Sequence, residues 1–333
     1  MTFKIADVAV IAAVSIGSWG ASLPGAAAPP PTGKLVDLGG HRLHVNCTGR
    51  GGPVVVVETG LGDFSFDWVL VQRRVAAFTR VCTYDRAGYA WSDPGPQPRT
   101  FAQLNLELRD ALSKLGERGP FVLVGHSYGG PVVRNFALTY ARDVAGVVLV
   151  DSAFEGMRVG IGGNKTLRLG EDARGRPIPA PREEISDADE PAVPAEPAKP
   201  QPLDPMYRAL PAGEQKLRAW AQPLPQLEVA EASQREWSSE YFAKWLARSQ
   251  AGTLGAIPLV VLTRAEGGYR DADVKAAELE RERREGQAML AKLSSDSRQV
   301  IVRSGHSMNL EAPEDVAKAI REVVEAARRG GRL

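Results

Sequence analysis

Six short runs rich in β-branched residues punctuate the chain: PVVVVE (53–58), RVCTYD (80–85), FVLVG (121–125), VAGVVLVDS (144–152), IPLVVLTR (257–264) and RQVIVR (298–303). Strands apolar on successive residues are buried on both faces, and stretches of helical period lie between them. That alternation predicts an α/β fold with a mostly parallel central sheet and helices on both faces. Before the first run, LVDLGGHRLHVNCTG reads as two strands around a Gly-Gly turn. The helical stretches are SFDWVLVQRRVAAF, TFAQLNLELRDALSKLG with Thr100 as its cap, GPVVRNFALTYAR, DADVKAAELERERREGQAMLAKL and PEDVAKAIREVVEAARR. The charge run in the fourth reads as a solvated helix face.

The rhythm breaks between residues 154 and 256. The front of this segment, RPIPAPREEISDADEPAVPAEPAKPQPLDP, is too rich in proline and acid to carry a core, and two helical stretches follow it. The expected organisation is a core in two parts, 29–153 and 257–333, around a Pro-rich and helical lid at 154–256. The insertion carries Trp220, Trp237, Tyr241, Phe242 and Trp245, which would form either an apolar surface over a pocket or the seam that docks the insertion on the core.

Composition narrows the partners. Lys and Arg total 41 against 40 Asp and Glu, so the chain lacks the basic excess of a phosphate-backbone binder, and nucleic acid is not an expected partner. Residues 1–28 place Lys4 before an apolar stretch from about Val8 to Trp19 and end in Ala26, Ala27 and Ala28, the layout of an export signal. The run is short for a membrane span, so export to a periplasmic or extracellular space is expected, with anchoring the alternative if the segment is retained. Cys47 and Cys82 permit one disulfide in an exported chain. Two cysteines and four scattered histidines give no metal-ligand spacing.

Gly125-His126-Ser127-Tyr128-Gly129 fits G-x-S-x-G and stands where a predicted strand passes into a predicted helix. A bend there needs small neighbours and leaves a hydroxyl exposed at the helix N-terminus. A serine hydroxyl needs a base to act as a nucleophile. His41 and His44 lie early in the chain and His126 lies inside the bend, which leaves His306, in VRSGHSMNLEAPE after the last strand, as the candidate.

Together with YDRAGYAWSDPG (84–95) and Gly305-His306 followed by Glu311 and Pro313, these motifs make the chain resemble the α/β-hydrolase family from about Leu35 to Ala327. The resemblance implies a nucleophile, acid and histidine in that chain order. Asp85 and Arg86 look like the family's structural turn. No Asp stands at the family's usual acid position in VVLTRAEGGYRD; Glu266 is near it, and Asp271 and Asp273 are further on. Asp151, at the end of VVLVDS, occupies the other position from which some members supply the acid, and it is favoured over Glu266.

The resemblance further implies an oxyanion hole made by the Tyr128 amide and an amide of the Glu58-Thr59-Gly60-Leu61-Gly62 loop, at Gly60 or Leu61. Thr59 replaces the His usual in that loop, which puts its anchoring in question. Serine at the bend argues against the family's dehalogenases and epoxide hydrolases, which use aspartate there. The expected activity is hydrolysis of a small carboxylic ester through an acyl-enzyme on Ser127, without metal or organic cofactor and with no protein partner implied. An amidase, an aminopeptidase-like enzyme, a perhydrolase or a non-catalytic small-molecule-binding relative would carry the same motifs.

Overall fold

The computed structural model describes residues 28–162, 165–168, 202–245, 252–265, 276–330 and 332–333. In chain order the strands are β1 (Lys34–Asp37), β2 (Arg42–Thr48), β3 (Val55–Glu58), β4 (Val81–Tyr84), β5 (Phe121–His126), β6 (Val144–Val150), β7 (Arg158–Gly162), β8 (Lys165–Arg168), β9 (Leu259–Arg264) and β10 (Ser297–Val302). The helices are α1 (Val69–Val75), α2 (Phe101–Lys114), α3 (Gly129–Thr139), α4 (Ala212–Ala221), α5 (Pro225–Trp245), α6 (Ala276–Ala291), α7 (Met308–Glu311) and α8 (Pro313–Arg329). Thr100 caps α2 by accepting from the Gln103 amide.

Eight strands form one sheet in the order β1-β2-β4-β3-β5-β6-β9-β10. The β1–β2 and β2–β4 pairs are antiparallel and the remainder parallel. The predicted sheet is thus the observed one, and its first two strands are the pair read around Gly39 and Gly40.

Alternation within the strands divides the core. Val56, Leu123, Val147, Leu149 and Val261 face one side, against Leu108 and Leu112 of α2 and Val133 and Phe136 of α3. Val55, Val57, Val122, Val124, Val148, Val260 and Leu262 face the other, against Val71 and Val75 of α1 and Val316, Ile320 and Val323 of α8. The runs at β3, β4, β5, β6 and β9 therefore serve two cores at once, which is why they carry so few polar residues, whereas β10 at the sheet edge leaves Ile301 57% exposed.

The strand order reverses between β3 and β5: the chain leaves β3 for β4 on one side and returns to β5 on the other. A crevice opens at the C-terminal ends of strands that diverge in this way. Glu58, His126, Asp151 and Arg264 all stand at those ends.

The inserted segment contains a two-stranded hairpin, β7–β8, that the sequence pattern does not announce, and the helices α4 and α5. Most of the proline-rich stretch lies outside the described residues. Trp220 packs on Trp91 at 5.3 Å between ring centroids, beside Phe64, Phe66 and Tyr89, so it belongs to the seam with the core. Trp237, Tyr241, Phe242 and Trp245 lie on α5, where their side chains fall outside the description. No helix among the described residues is long and apolar enough to cross a membrane; of the segment 1–28 read as an export signal, residues 1–27 are not among them.

One expectation about α6 is corrected. Its charge run is not wholly a solvated face: Arg283 is 2% exposed, and Leu279, Gln287 and Leu290 are buried with it. The helix lies against β9 and turns Arg283 inward among Leu279, Gly286, Gln287 and Leu290.

Cys47 and Cys82 face one another across the β2–β4 pair and form a disulfide. The bond closes a separation of 35 residues. Replacing both cysteines by serine should lower the free energy of unfolding by about 2–4 kcal/mol. Urea unfolding of the two proteins by circular dichroism checks this, and equal stability would show that the cross-link constrains little of the unfolded chain.

Candidate active site

Ser127 has φ +50°, a left-handed conformation that a residue with a side chain adopts at a cost of order 1 kcal/mol or more. Hydrogen bonds on both sides hold it there. Its amide donates to the Val150 carbonyl at 3.2 Å, and its carbonyl accepts from Gly130 at 3.1 Å and Ala153 at 2.9 Å. Gly129 is dictated by close approach: a Cβ there would lie 2.3 Å from the Glu58 carbonyl oxygen. The glycine lets α3 begin directly against the end of β3.

Asp151 is the residue after β6 and is also left-handed, with φ +36°. Its amide donates to the Leu262 carbonyl of β9 at 2.8 Å. His306 lies in the loop between β10 and α7. Its Nδ1 is 2.6 Å from Asp151 Oδ2, and its Nε2 is 3.0 Å from Ser127 Oγ. An ionised carboxylate only accepts, so Nδ1 carries the proton and Nε2 presents its lone pair to the serine hydroxyl. The structure thus brings Ser127, His306 and Asp151 into one hydrogen-bonded chain. Glu266, Asp271 and Asp273 lie outside the described residues.

Two arginines brace the carboxylate. Arg264, at the end of β9, donates to Asp151 Oδ2 at 2.8 Å, and Arg283 of α6 donates to Oδ1 at 3.4 Å. Arg283 also donates to the Arg264 carbonyl at 3.1 Å and pairs with Glu280 at 2.6 Å. Burial alone would raise the Asp151 pKa, but the His306 bond and the charges of His306, Arg264 and Arg283 hold it below the ordinary aspartate value. For His306, burial lowers the pKa, the Asp151 bond raises it, and the nearby His126 and Arg264 lower it again. The net position is below 6.5, the ordinary histidine value. The His306 side chain keeps 39% of its surface exposed, open to an incoming molecule, while Asp151 keeps 2%.

The loop after β3 is anchored without the usual histidine. Arg86 is buried, with Nε donating to Glu58 Oε1 at 2.7 Å and Nη2 to the Gly60 carbonyl at 3.1 Å. The same nitrogen donates to the Thr59 carbonyl, and Tyr84 donates to the other oxygen of Glu58. Thr59 Oγ1 donates to the Asp63 carbonyl at 3.2 Å. In a planar trans peptide the N–H points opposite the C=O. With the Gly60 carbonyl turned to Arg86, the Leu61 N–H points away from the guanidinium, and Leu61 packs against the cluster of Phe101, Leu104, Tyr128 and Val132. Arg86 also donates to Gln234 of α5 at 3.0 Å, which ties the insertion to this loop.

Three of these groups escaped the sequence reading. Arg86 was visible as part of a turn, but its partner Glu58 stands 28 residues away. Arg283 was hidden in a run of charges whose helical phase alone could have marked it as inward. His126 points into the protein, between Asp63 and the His306 carbonyl. His44 makes a second histidine–aspartate pair, with Asp85 at 2.7 Å, but that pair is fully buried and holds β2 to the turn after β4.

Comparison with known proteins agrees with this architecture. A protein named Probable transporter efuK, from Hormonema carpetanum, is 36% identical over 129 residues, a match that spans 36% of this chain and 18% of that protein. The enol-lactonase from Burkholderia xenovorans LB400 superposes with a TM-score of 0.58 at 16% identity, covering 87% of this chain and 99% of that one. A thermophilic esterase from Thermogutta terrifontis gives a TM-score of 0.56 at 24% identity, covering 88% and 97%. At these identities the structural likeness speaks for the fold. The profile described as the alpha/beta hydrolase family matches residues 54–319, and on that match, with the sheet order and the strand-to-helix bend at Ser127, this chain belongs to the α/β-hydrolase family.

Proposed function

We propose that the chain is a serine hydrolase that cleaves a small carboxylic ester through an acyl-enzyme on Ser127. One observation carries the reading: the unbroken chain from Ser127 Oγ through His306 to Asp151, at 3.0 and 2.6 Å. In this reading His306 Nε2 takes the serine proton as Oγ attacks the ester carbonyl. Asp151 stabilises the imidazolium that forms and does not itself take the proton. The amides of Leu61 and Tyr128 receive the negative charge on the tetrahedral oxygen. His306 then returns the proton to the leaving alcohol, and water repeats the cycle to release the acid. No step calls for a metal or organic cofactor. The Cys47–Cys82 bond supports an exported setting, because such bonds persist in oxidising compartments.

A fluorophosphonate probe should label the folded protein at Ser127, read by peptide mass mapping, and Ser127→Ala should abolish both labelling and nitrophenyl-ester hydrolysis. Absence of labelling in the folded wild-type chain overturns the proposal and leaves a small-molecule-binding role. Asp151→Asn should lower kcat by about 10⁴ while the fold persists. A full rate in that variant would move the acid role to a residue such as Glu266.

The pH dependence follows from His306. The base works only when neutral, and its pKa is depressed, so activity should persist as pH falls through 6.5, the ordinary histidine value, and be lost below it. The acid limb of kcat/KM against pH measures this, and a midpoint above 6.5 contradicts it. Arg86→Met should lower kcat by about 100-fold by freeing the Gly60–Leu61 peptide. It should also destabilise the protein by about 3–5 kcal/mol, because Glu58 is left as a buried, unpaired charge.

A further inference from the structure

His126 precedes the nucleophile, is 3% exposed, and takes no part in the chemistry above. Its two ring nitrogens both face groups that accept. Nδ1 lies 3.2 Å from Asp63 Oδ2, and Nε2 lies 3.0 Å from the His306 carbonyl oxygen. A carbonyl oxygen can never donate, and an ionised carboxylate cannot donate either. Both contacts are therefore hydrogen bonds only if the ring carries two protons. A neutral ring would bury one unpaired nitrogen lone pair against an acceptor oxygen.

We propose that His126 is held as an imidazolium at neutral pH, and that this fixed cation positions the His306 loop and keeps the His306 ring in its neutral, basic form. The second half rests on the role of His306 proposed above, and the first half does not.

The surroundings fit a buried cation. Asp63, in the turn after β3, is its direct partner. Arg218 of α4 donates to Asp67 and to the Gly62 carbonyl, and its charge helps keep Asp63 ionised. Asp151, at the end of β6, adds negative potential. Trp68 closes a third side edge-on, at 5.9 Å between ring centroids. Burial disfavours the charged ring, yet Asp63, the His306 carbonyl and Asp151 together raise the His126 pKa above the ordinary value. Asp63 shifts the opposite way, below the ordinary aspartate value, because His126, Arg218 and His306 outweigh its burial.

The consequence for His306 is electrostatic. The two imidazole rings are 4.8 Å apart between centroids, so a proton added to His306 meets a like charge. The His126 ring also lies against the anchored loop, where a Cβ on Gly60 would meet Nδ1 at 3.0 Å. One side chain thus joins the loop that carries Leu61, the strand that ends just before Ser127 and the loop that carries His306.

Imidazole ¹⁵N–¹H NMR of the full chain tests this. At pH 7 to 8, one of the four histidines, identified by its loss in His126→Gln, should show both nitrogens protonated and should stay so where an ordinary histidine has lost its proton. A neutral His126 tautomer at pH 7 overturns the proposal. In Asp63→Asn the same ring should lose a proton by pH 8; retention of both protons there would exclude Asp63 as the counter-ion and overturn the ion-pair basis.

In His126→Gln the midpoint of the His306 titration, read by NMR and not by turnover, should rise by about one pH unit. An unchanged or lowered midpoint removes the second half. If that variant does not fold, assignment by the Asp63→Asn perturbation keeps the wild-type measurement decisive. Because none of these readouts uses hydrolysis, failure of the ester-hydrolase reading and failure of this one remain separate results.

Discussion

The site hangs on three backbone hydrogen bonds that tie strand ends together: the Ser127 amide to Val150, the Ala153 amide to Ser127, and the Asp151 amide to Leu262. Two residues in the left-handed region, Ser127 and Asp151, would relax if those bonds and the packing of β5, β6 and β9 did not hold them. Because the sheet is buried on both faces, a shift of one strand end would disturb both cores. The rigidity that fixes the hydroxyl and the carboxylate relative to His306 is therefore that of the whole sheet.

Charge is arranged in the same economy. Asp151 is shared among His306, Arg264 and Arg283, and Glu58 is paired with Arg86 beneath the loop after β3. Buried charges without partners are costly, so each ion pair holds its neighbours' backbone in place as well as its own side chain. Arg264 stands near the place where the family resemblance expects an acid, and Asp151 stands one strand over. The carboxylate and the arginine occupy adjacent strand ends and meet behind His306. Arg86 extends the same logic to the insertion, through Gln234 of α5.

Much of this was legible from residues alone. The β-branched runs predicted the parallel sheet because strands buried on both faces tolerate few polar residues. The strand-to-helix context around Ser127 predicted the bend because only small neighbours permit it. His306 emerged because the other histidines were placed elsewhere by their segments. The β7–β8 hairpin was not visible, since its strands are only five and four residues long and the first carries two glycines, which strands disfavour. Arg283 was misjudged as solvent-facing because a dense charge run masks which face of a helix turns inward. Some readings fall on residues outside the description: the export signal, most of the proline-rich stretch, and Glu266 with Asp271 and Asp273.

By itself, then, the sequence determined the periodicities and the strand-to-helix bend, which depend on neighbours within a few positions. The tertiary structure decided what depends on contacts across the chain. It brought Asp151 to His306 from 155 residues away and Arg283 to Asp151 from 132, and it placed His126 between Asp63 and the His306 carbonyl. Hydrogen bonding and desolvation act over a few ångströms of space, and separation along the chain does not record those distances.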